Sequence, residues 1–169
     1  MRAKEQRFRP WTLILHIVVI VAAGFAIHRL CVIPFRDNLA MRDIEQRMSI
    51  AQSVAQSDPP RAAPLARANL ADLDGIARSH QLNPAWYVLY GANCELLGRW
   101  QDAANAYTAA LAIDQRPEIY FYRGLVLLHL GRIDGAAGDM ITAVRFNPFP
   151  LDQIGGELRA RVAAAAELQ

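Results

Sequence analysis

The apolar residues of this chain follow two different patterns, one before residue 33 and one after it. Between Trp11 and Ile33 the run of apolar side chains is nearly continuous. From residue 37 onward, apolar residues recur every three or four positions, which is the spacing of amphipathic helices. No stretch reads as a convincing β-strand. The pattern therefore predicts an all-α chain, in which one long apolar helix precedes a set of amphipathic helices.

The apolar run is long enough to cross a lipid bilayer. About 20 apolar residues span the hydrocarbon region as a helix, so residues 11–33 suffice with some tilt. Trp11 suits the membrane interface, and Arg29 can extend its charge towards the far headgroups. We predict a transmembrane helix over residues 11–33 that ends at Pro34.

A cleaved secretory signal peptide is the competing interpretation of this segment. Residues 1–10 are basic, and Ala22-Ala23-Gly24 would suit cleavage. A lipoprotein signal is disfavoured, because His28-Arg29-Leu30 lacks the small residues expected before a lipidated cysteine. We predict that the segment is retained as an anchor.

The basic residues around the apolar run predict its orientation. Four of them lie within residues 1–10, whereas Arg29 and Arg36 are the sparser basic residues at the other end. Because basic residues favour the cytoplasmic side, the N-terminus is predicted to be cytoplasmic. The expected location is a bacterial inner membrane, crossed once, with the C-terminal domain in the periplasm.

Residues 34–64 are predicted to form a stalk helix followed by a linker. The stalk, 37–57, carries a thin apolar stripe, which indicates an exposed helix lying against a partner or against the repeats. Residues 58–64 contain three prolines, which favours a linker. The stripe consists of Met41, Ile44, Met48, Ala51 and Ala55.

An internal repeat organises the C-terminal half. Five positions in the first copy have a matching residue 33 positions later, as Gly98 has in Gly131. Each copy reads as helix, turn, helix, with these glycines ending the first helix. The other four pairs are Gly91 with Gly124, Ala103 with Ala136, Ala110 with Ala143, and Leu111 with Val144.

This pattern resembles the tetratricopeptide repeat (TPR). The first copy matches the family signature through Tyr87, Gly91, Gly98, Ala103, Tyr107 and Ala110, and the second through Tyr120, Gly124, Gly131, Ala136, Ala143 and Pro148. The chain departs from the signature at Cys94, Leu127, Arg123 and Met140. The resemblance implies a short α-solenoid with repeats at about 84–116 and 117–149.

Helices at both ends of the repeats are predicted to act as caps, because a solenoid must cover its terminal apolar faces. The domain is expected to span residues 65–169. A helix at 65–81 would cover the N-terminal side, and a helix at 151–168, interrupted by Gly155 and Gly156, would cover the other. The inward residues of the first cap are Leu70, Leu73, Ile76 and Ala77.

The sequence contains no arrangement typical of catalysis or of metal binding. The four histidines are scattered singly, and Cys31 and Cys94 lie far apart. The net charge of +2 and the lack of a basic stripe beyond the first nine residues argue against a nucleic-acid partner. We predict no enzyme activity and no cofactor.

The apolar run contains two histidines, His16 and His28, and one of them could have a function as a ligand. Gly24 and His28 form a local pattern like that by which light-harvesting polypeptides present an imidazole to a pigment. His28 is therefore a weak candidate for a pigment or haem ligand. Because His16 and His28 both lie near a membrane edge, solvated histidines are the favoured interpretation.

The resemblance implies a concave groove lined by the first helix of each repeat. Its apolar and aromatic character predicts binding of an amphipathic helix or an extended apolar peptide. Alternatively, the protein's own stalk or C-terminal helix fills it. The predicted lining is Val88, Leu89, Ala92, Glu95, Leu96, Phe121, Tyr122, Leu125, Leu128 and His129.

These features predict a non-catalytic, membrane-anchored TPR scaffold. The first hypothesis is an accessory subunit that docks on and stabilises a larger respiratory or photosynthetic membrane complex. The alternative is a membrane-anchored assembly factor or chaperone that presents its groove to client proteins in envelope or cytochrome biogenesis. The expected partners are protein subunits and the lipid bilayer, and nothing in the sequence supports self-association.

Overall fold

Helices make up all the regular structure that the computed structural model describes, which covers residues 10–77, 80, 82–146 and 155–167. The predicted all-α fold class is thus confirmed. A π-helical turn, His28–Val32, separates the first two helices. In chain order the helices are α1 (Pro10–Ile27), α2 (Ile33–Ser57), α3 (Pro59–Ile76), α4 (Pro84–Leu96), α5 (Trp100–Leu111), α6 (Pro117–His129), α7 (Ile133–Phe146) and α8 (Gly156–Glu167).

The chain divides into two compact units. The first ends at Leu39 and the second begins at Ala40. The first contains α1, the π-helical turn and the start of α2. The second contains the rest of α2 and every later helix.

Contrary to prediction, the N-terminal helix does not end at Pro34. It continues through the π-helical turn into α2, and the N–H of Ile33 donates to the carbonyl oxygen of His28, five residues earlier. Proline lacks an N–H, and in a regular helix its ring clashes with the carbonyl of the residue four positions before it. A wider turn just before Pro34 accommodates both effects.

The helical stretch Ile14–Ser57 contains a window apolar enough to cross a membrane, and none of that window is buried. Within the described residues it is the one candidate of this kind. A signal sequence or the core helix of a soluble protein meets the same criteria of length and composition.

The prolines predicted to form a linker lie within a helix instead. Asp58 alone separates α2 from α3, whose first two residues are Pro59 and Pro60. Proline is well tolerated at the start of a helix, where the missing N–H has no partner in any case. Pro64 lies inside α3. Pro59 and Pro60 therefore mark the start of a helix rather than a linker.

The apolar stripe of α2, predicted to lie against a partner or against the repeats, is largely buried within the domain. Met41, Ile44, Met48 and Ala51 are all buried. Met41 and Ile44 belong to the same core as Leu73 of α3. Helices α2 and α3 thus contribute to one core ahead of the two predicted repeats, where the sequence indicated only half a repeat.

The two repeats begin and turn at matching positions. Gly98 and Gly131 adopt the left-handed conformation, with φ of 67° and 70°. After the glycine, Arg99 and Arg132 donate their N–H groups to Cys94 and Leu127, five residues back. This bonding is the Schellman arrangement that ends helices at glycine.

Glycines inside the first helices allow the second helices to approach closely. A Cβ added at Gly91 would lie 2.9 Å from the Tyr107 ring, and one at Gly124 would lie 3.0 Å from Cγ of Met140. The repeats thus share one packing device with different partners.

Helix α8 covers the last repeat. Leu158 and Val162 are buried in a small cluster with Ala137 and Met140 of α7. The helix begins at Gly156, so the predicted interruption at Gly155 and Gly156 is the helix start. The predicted segment before it, residues 151–154, lies outside the described residues.

Candidate functional site: a cavity between α2 and the repeats

A cavity of about 430 Å³ lies between α2 and the first helices of the two repeats. One wall comes from α2 and the other from α4 and α6, with Tyr107 of α5 contributing between them. This is the side of the domain on which the groove was predicted. The lining consists of Glu45, Met48, Ser49, Gln52, Val88, Leu89, Ala92, Glu95, Leu96, Tyr107, Tyr122 and Leu125.

Seven of the ten predicted groove residues line this cavity. The three others lie elsewhere. Phe121 is buried. Leu128 lines a separate pocket beside α8. His129 stacks on Trp100, with ring centroids 3.9 Å apart. The second repeat therefore contributes only Tyr122 and Leu125 to the cavity lining.

The residues that sequence reasoning missed come mainly from α2. Glu45, Met48, Ser49 and Gln52 form a wall that was not predicted. The apolar stripe through Met48 was the available indication, because a buried stripe requires a neighbouring surface. The stalk therefore borders the groove without filling it, an intermediate between the two predicted alternatives.

Glu95 and Tyr107 form a polar pair in the apolar wall. The Tyr107 hydroxyl donates a hydrogen bond to Oε1 of Glu95. Burial raises the pKa of Glu95 to about 7, against a smaller opposite effect of the Tyr107 hydrogen bond. Burial also raises the pKa of Tyr107, and the neighbouring Glu95 charge adds to this. The cavity thus holds a carboxyl group that titrates near neutral pH.

The second repeat has its polar pair on a different face. Nε and Nη2 of Arg123 each lie 2.7 Å from an oxygen of the Asp139 carboxylate. The side chains are 22% and 9% exposed. This bidentate pair explains how the second repeat accepts arginine where TPR sequences usually have an apolar residue.

The other candidate groups show no assembled chemistry. Burial raises the pKa of Cys94 to about 11, which makes its thiol unreactive. His28 and Cys31 are exposed along the N-terminal helix. The described part of the chain contains no group of three or more His, Cys, Asp or Glu placed to hold a metal ion.

Comparison with known proteins shows the fold. A thermophilic TPR protein from Thermus thermophilus superposes with a TM-score of 0.60 at 23% identity, over 84% of this chain and 69% of that one. At this identity the likeness establishes a TPR-type helical-repeat fold and no more. It agrees with the repeats deduced from the sequence.

Two secretion proteins show weaker likeness. The type III secretion chaperone SycD of Yersinia enterocolitica, in complex with a peptide of the translocator YopD, has a TM-score of 0.44 at 22% identity, over 75% of this chain and 92% of that one. A type III secretion complex from Aeromonas hydrophila has a TM-score of 0.42 at 21% identity, over 75% and 78%. No protein-family profile matches the chain, and no curated protein matches it.

Proposed function

We propose that this chain is a single-pass membrane protein whose TPR-like domain is a non-catalytic scaffold for another protein. The observation that carries the proposal is the pairing of an unburied apolar helix with an open, mostly apolar cavity. The helix supplies the anchor, over residues 11–33, and the cavity supplies the docking surface.

Exposure of the described apolar side chains of α1 and of the π-helical turn supports the anchor. From Ile14 to Val32 the large apolar side chains are 48–76% exposed. A core helix buries at least one stripe of its surface, whereas this helix buries none of its apolar window. Lipid is the environment in which such a surface is stable.

Alkaline extraction of membranes tests the anchor. The full chain is expressed in bacteria, membranes are washed at high pH, and the intact mass of the protein is measured. We expect the protein to stay in the pellet until detergent is added, at the mass of the uncleaved chain. Release by the wash, or a mass corresponding to cleavage near Gly24, would contradict the proposal.

For the orientation, we propose a cytoplasmic N-terminus in the bacterial inner membrane and a periplasmic repeat domain. The basic residues of the first ten positions support it. Reporter fusions at the C-terminus measure it, because alkaline phosphatase is active only in the periplasm and ordinary green fluorescent protein fluoresces only in the cytoplasm. We expect phosphatase activity without fluorescence, and the reverse result would invert the topology.

The most specific role we propose is an accessory subunit of a larger respiratory or photosynthetic membrane complex. The second candidate, an assembly factor or chaperone for envelope or cytochrome biogenesis, is favoured by the cavity being open rather than filled by α2. Quantitative mass spectrometry of complexes purified in mild detergent separates them. A constant molar ratio to the complex indicates a subunit, and enrichment only in immature complexes indicates an assembly factor.

A further inference from the structure

The charge of the cavity lining is one-sided. Two carboxyl groups face the cavity, from Glu45 on α2 and Glu95 on α4, and no Lys, Arg or His is among the described residues that line it. The remaining polar groups there, apart from two tyrosine hydroxyls, are the uncharged Ser49 and Gln52. An acidic ligand would meet only like charge, so the lining favours a cation.

Glu95 has one carboxylate oxygen available. Tyr107 donates to Oε1, and no other hydrogen bond to the Glu95 side chain occurs within the described ranges. An ionised carboxylate in an apolar wall is costly unless it is paired. Burial accordingly keeps the pKa of Glu95 at about 7. A ligand that brings a positive charge would supply the missing partner for Oε2.

The surroundings of Glu95 can accommodate both the charged group and the aliphatic part of a lysine or arginine side chain. The Tyr122 ring is 41% exposed, and its centroid lies 6.0 Å from that of Tyr107. Aromatic faces attract ammonium and guanidinium groups. Apolar side chains from both walls, including Met48 and Leu125, can pack against aliphatic segments. The cavity volume of about 430 Å³ lies within the range of ligand pockets.

We propose that the cavity binds an apolar peptide segment of a partner protein that carries one lysine or arginine, whose cationic group pairs with Glu95. The inference rests on the proposed docking function and specifies the chemistry of the partner. It also explains why a carboxyl group stands among apolar and aromatic residues at this point of α4.

Peptide binding to the full-length protein in nanodiscs tests the inference. The probe is a capped ten-residue peptide of Leu, Ala and Phe with serine at both ends and one central arginine. Its matched control replaces that arginine with citrulline, which has the same shape without the charge. At pH 8 we expect the arginine peptide to bind about tenfold more tightly, the usual worth of a charge-assisted hydrogen bond.

Two carboxyl-to-amide variants locate the effect. Glu95→Gln preserves an oxygen that can accept from Tyr107, and it should reduce arginine-peptide affinity to the citrulline level. Glu118→Gln, on α6 outside the cavity, should leave the tenfold preference intact. Glu45→Gln should have a smaller effect than Glu95→Gln, because Glu45 is exposed and solvent screens it.

The preference for arginine should depend on pH. The titratable groups that face Glu95 are Tyr107 from α5, Tyr122 from α6 and Glu45 from α2. Burial raises the pKa of Glu95 to about 7, so Glu95 changes its charge within the pH range of the experiment. Its protonation at pH 6 should remove most of the tenfold difference.

The outcomes separate this inference from the proposed function. Equal binding of both peptides at pH 8 would overturn the cation pairing and leave docking in place. A failure of both peptides to bind would remove the cavity as a docking site. A preference that persists in Glu95→Gln would assign the cation to another group and contradict the inference.

Discussion

The two repeats share one backbone plan and differ in where each places its polar pair. At four positions 33 residues apart, Glu95 and Tyr107 of the first repeat correspond to Leu128 and Met140 of the second, and Tyr90 and Ala106 correspond to Arg123 and Asp139. The first repeat therefore has its hydrogen-bonded pair in the cavity wall. The second has its ion pair on another face and an apolar contact near α8.

This difference separates the residues that define the fold from those that define the surface chemistry. The shared glycines and alanines set how closely the helices approach, and they recur in both copies. Where one repeat has a polar pair, both members differ at the matching positions of the other repeat. Neither member of a pair is therefore left without its partner in a buried environment. The pairs can therefore differ between repeats without changing the helices that carry them.

The largest effect is expected from breaking the ion pair of the second repeat. Asp139→Ala leaves Arg123 partly buried without its carboxylate, at a cost of about 3 kcal/mol in the free energy of unfolding. The measurement is urea unfolding of the full chain in detergent, monitored by circular dichroism.

The matched control rebuilds the first repeat's chemistry in the second. The double variant Arg123→Tyr, Asp139→Ala should recover at least half of that loss, because no charge remains unpaired. A double variant less stable than Asp139→Ala would show that the two positions do not act as a unit.

The next effect concerns the glycine of each first helix. Gly91→Ala would push a methyl group into the Tyr107 ring, which is rigid and held by Glu95, and should destabilise by about 2 kcal/mol. Gly124→Ala meets the flexible side chain of Met140, and the gain in helix propensity should leave its net effect within about 1 kcal/mol of zero. Thermal unfolding of both variants compares them, and equal losses would contradict the proposed difference between the two partners.

A smaller effect is expected from titration of Glu95. Its pKa of about 7 in the folded protein lies above the ordinary value of 4.5, so the folded state holds the proton more tightly. This tighter binding of the proton stabilises the folded state relative to the unfolded state. The stabilisation is fully present below pH 4.5 and is lost as the pH rises to 7. Allowing for partial solvent screening, we expect a loss of about 1 kcal/mol between pH 5 and pH 8.

Glu95→Gln should remove that pH dependence, because the amide does not titrate. Urea unfolding of both proteins at pH 5 and pH 8 measures the difference. An unchanged slope in the variant would assign the pH dependence to other groups.

The sequence predicted the repeat hairpins well and the stalk poorly, for physical reasons. A glycine cap and a periodic small residue act locally, so Gly98 and Gly131 could be placed without knowing the rest of the fold. The position of α2 depends on interactions distant in sequence, such as the hydrogen bond that Arg47 of α2 donates to Asp72 of α3. Prolines were also ambiguous, since Pro59 and Pro60 can start a helix as readily as they can interrupt one.

The candidate site was predictable where it follows the repeat and not where it departs from it. Extending the groove by the 33-residue offset correctly placed Tyr122 and Leu125 in the cavity. Leu128 instead lies beside α8, and His129 stacks on Trp100. The Glu95–Tyr107 hydrogen bond needed the structure, because the two residues lie on different helices. Their spacing of 12 residues carries no periodic signature.

Site-specific photo-crosslinking tests most directly whether the cavity is where this protein meets its partner. Benzoylphenylalanine replaces Tyr122 in the cavity or Ile113 outside it, residues that are 41% and 40% exposed, and membranes are irradiated before detergent is added. We predict a discrete crosslinked protein from position 122 that disappears when Val88→Asp and Leu125→Asp are introduced, and none from position 113. Crosslinking that is equal at both positions, or that survives the two aspartates, would contradict it.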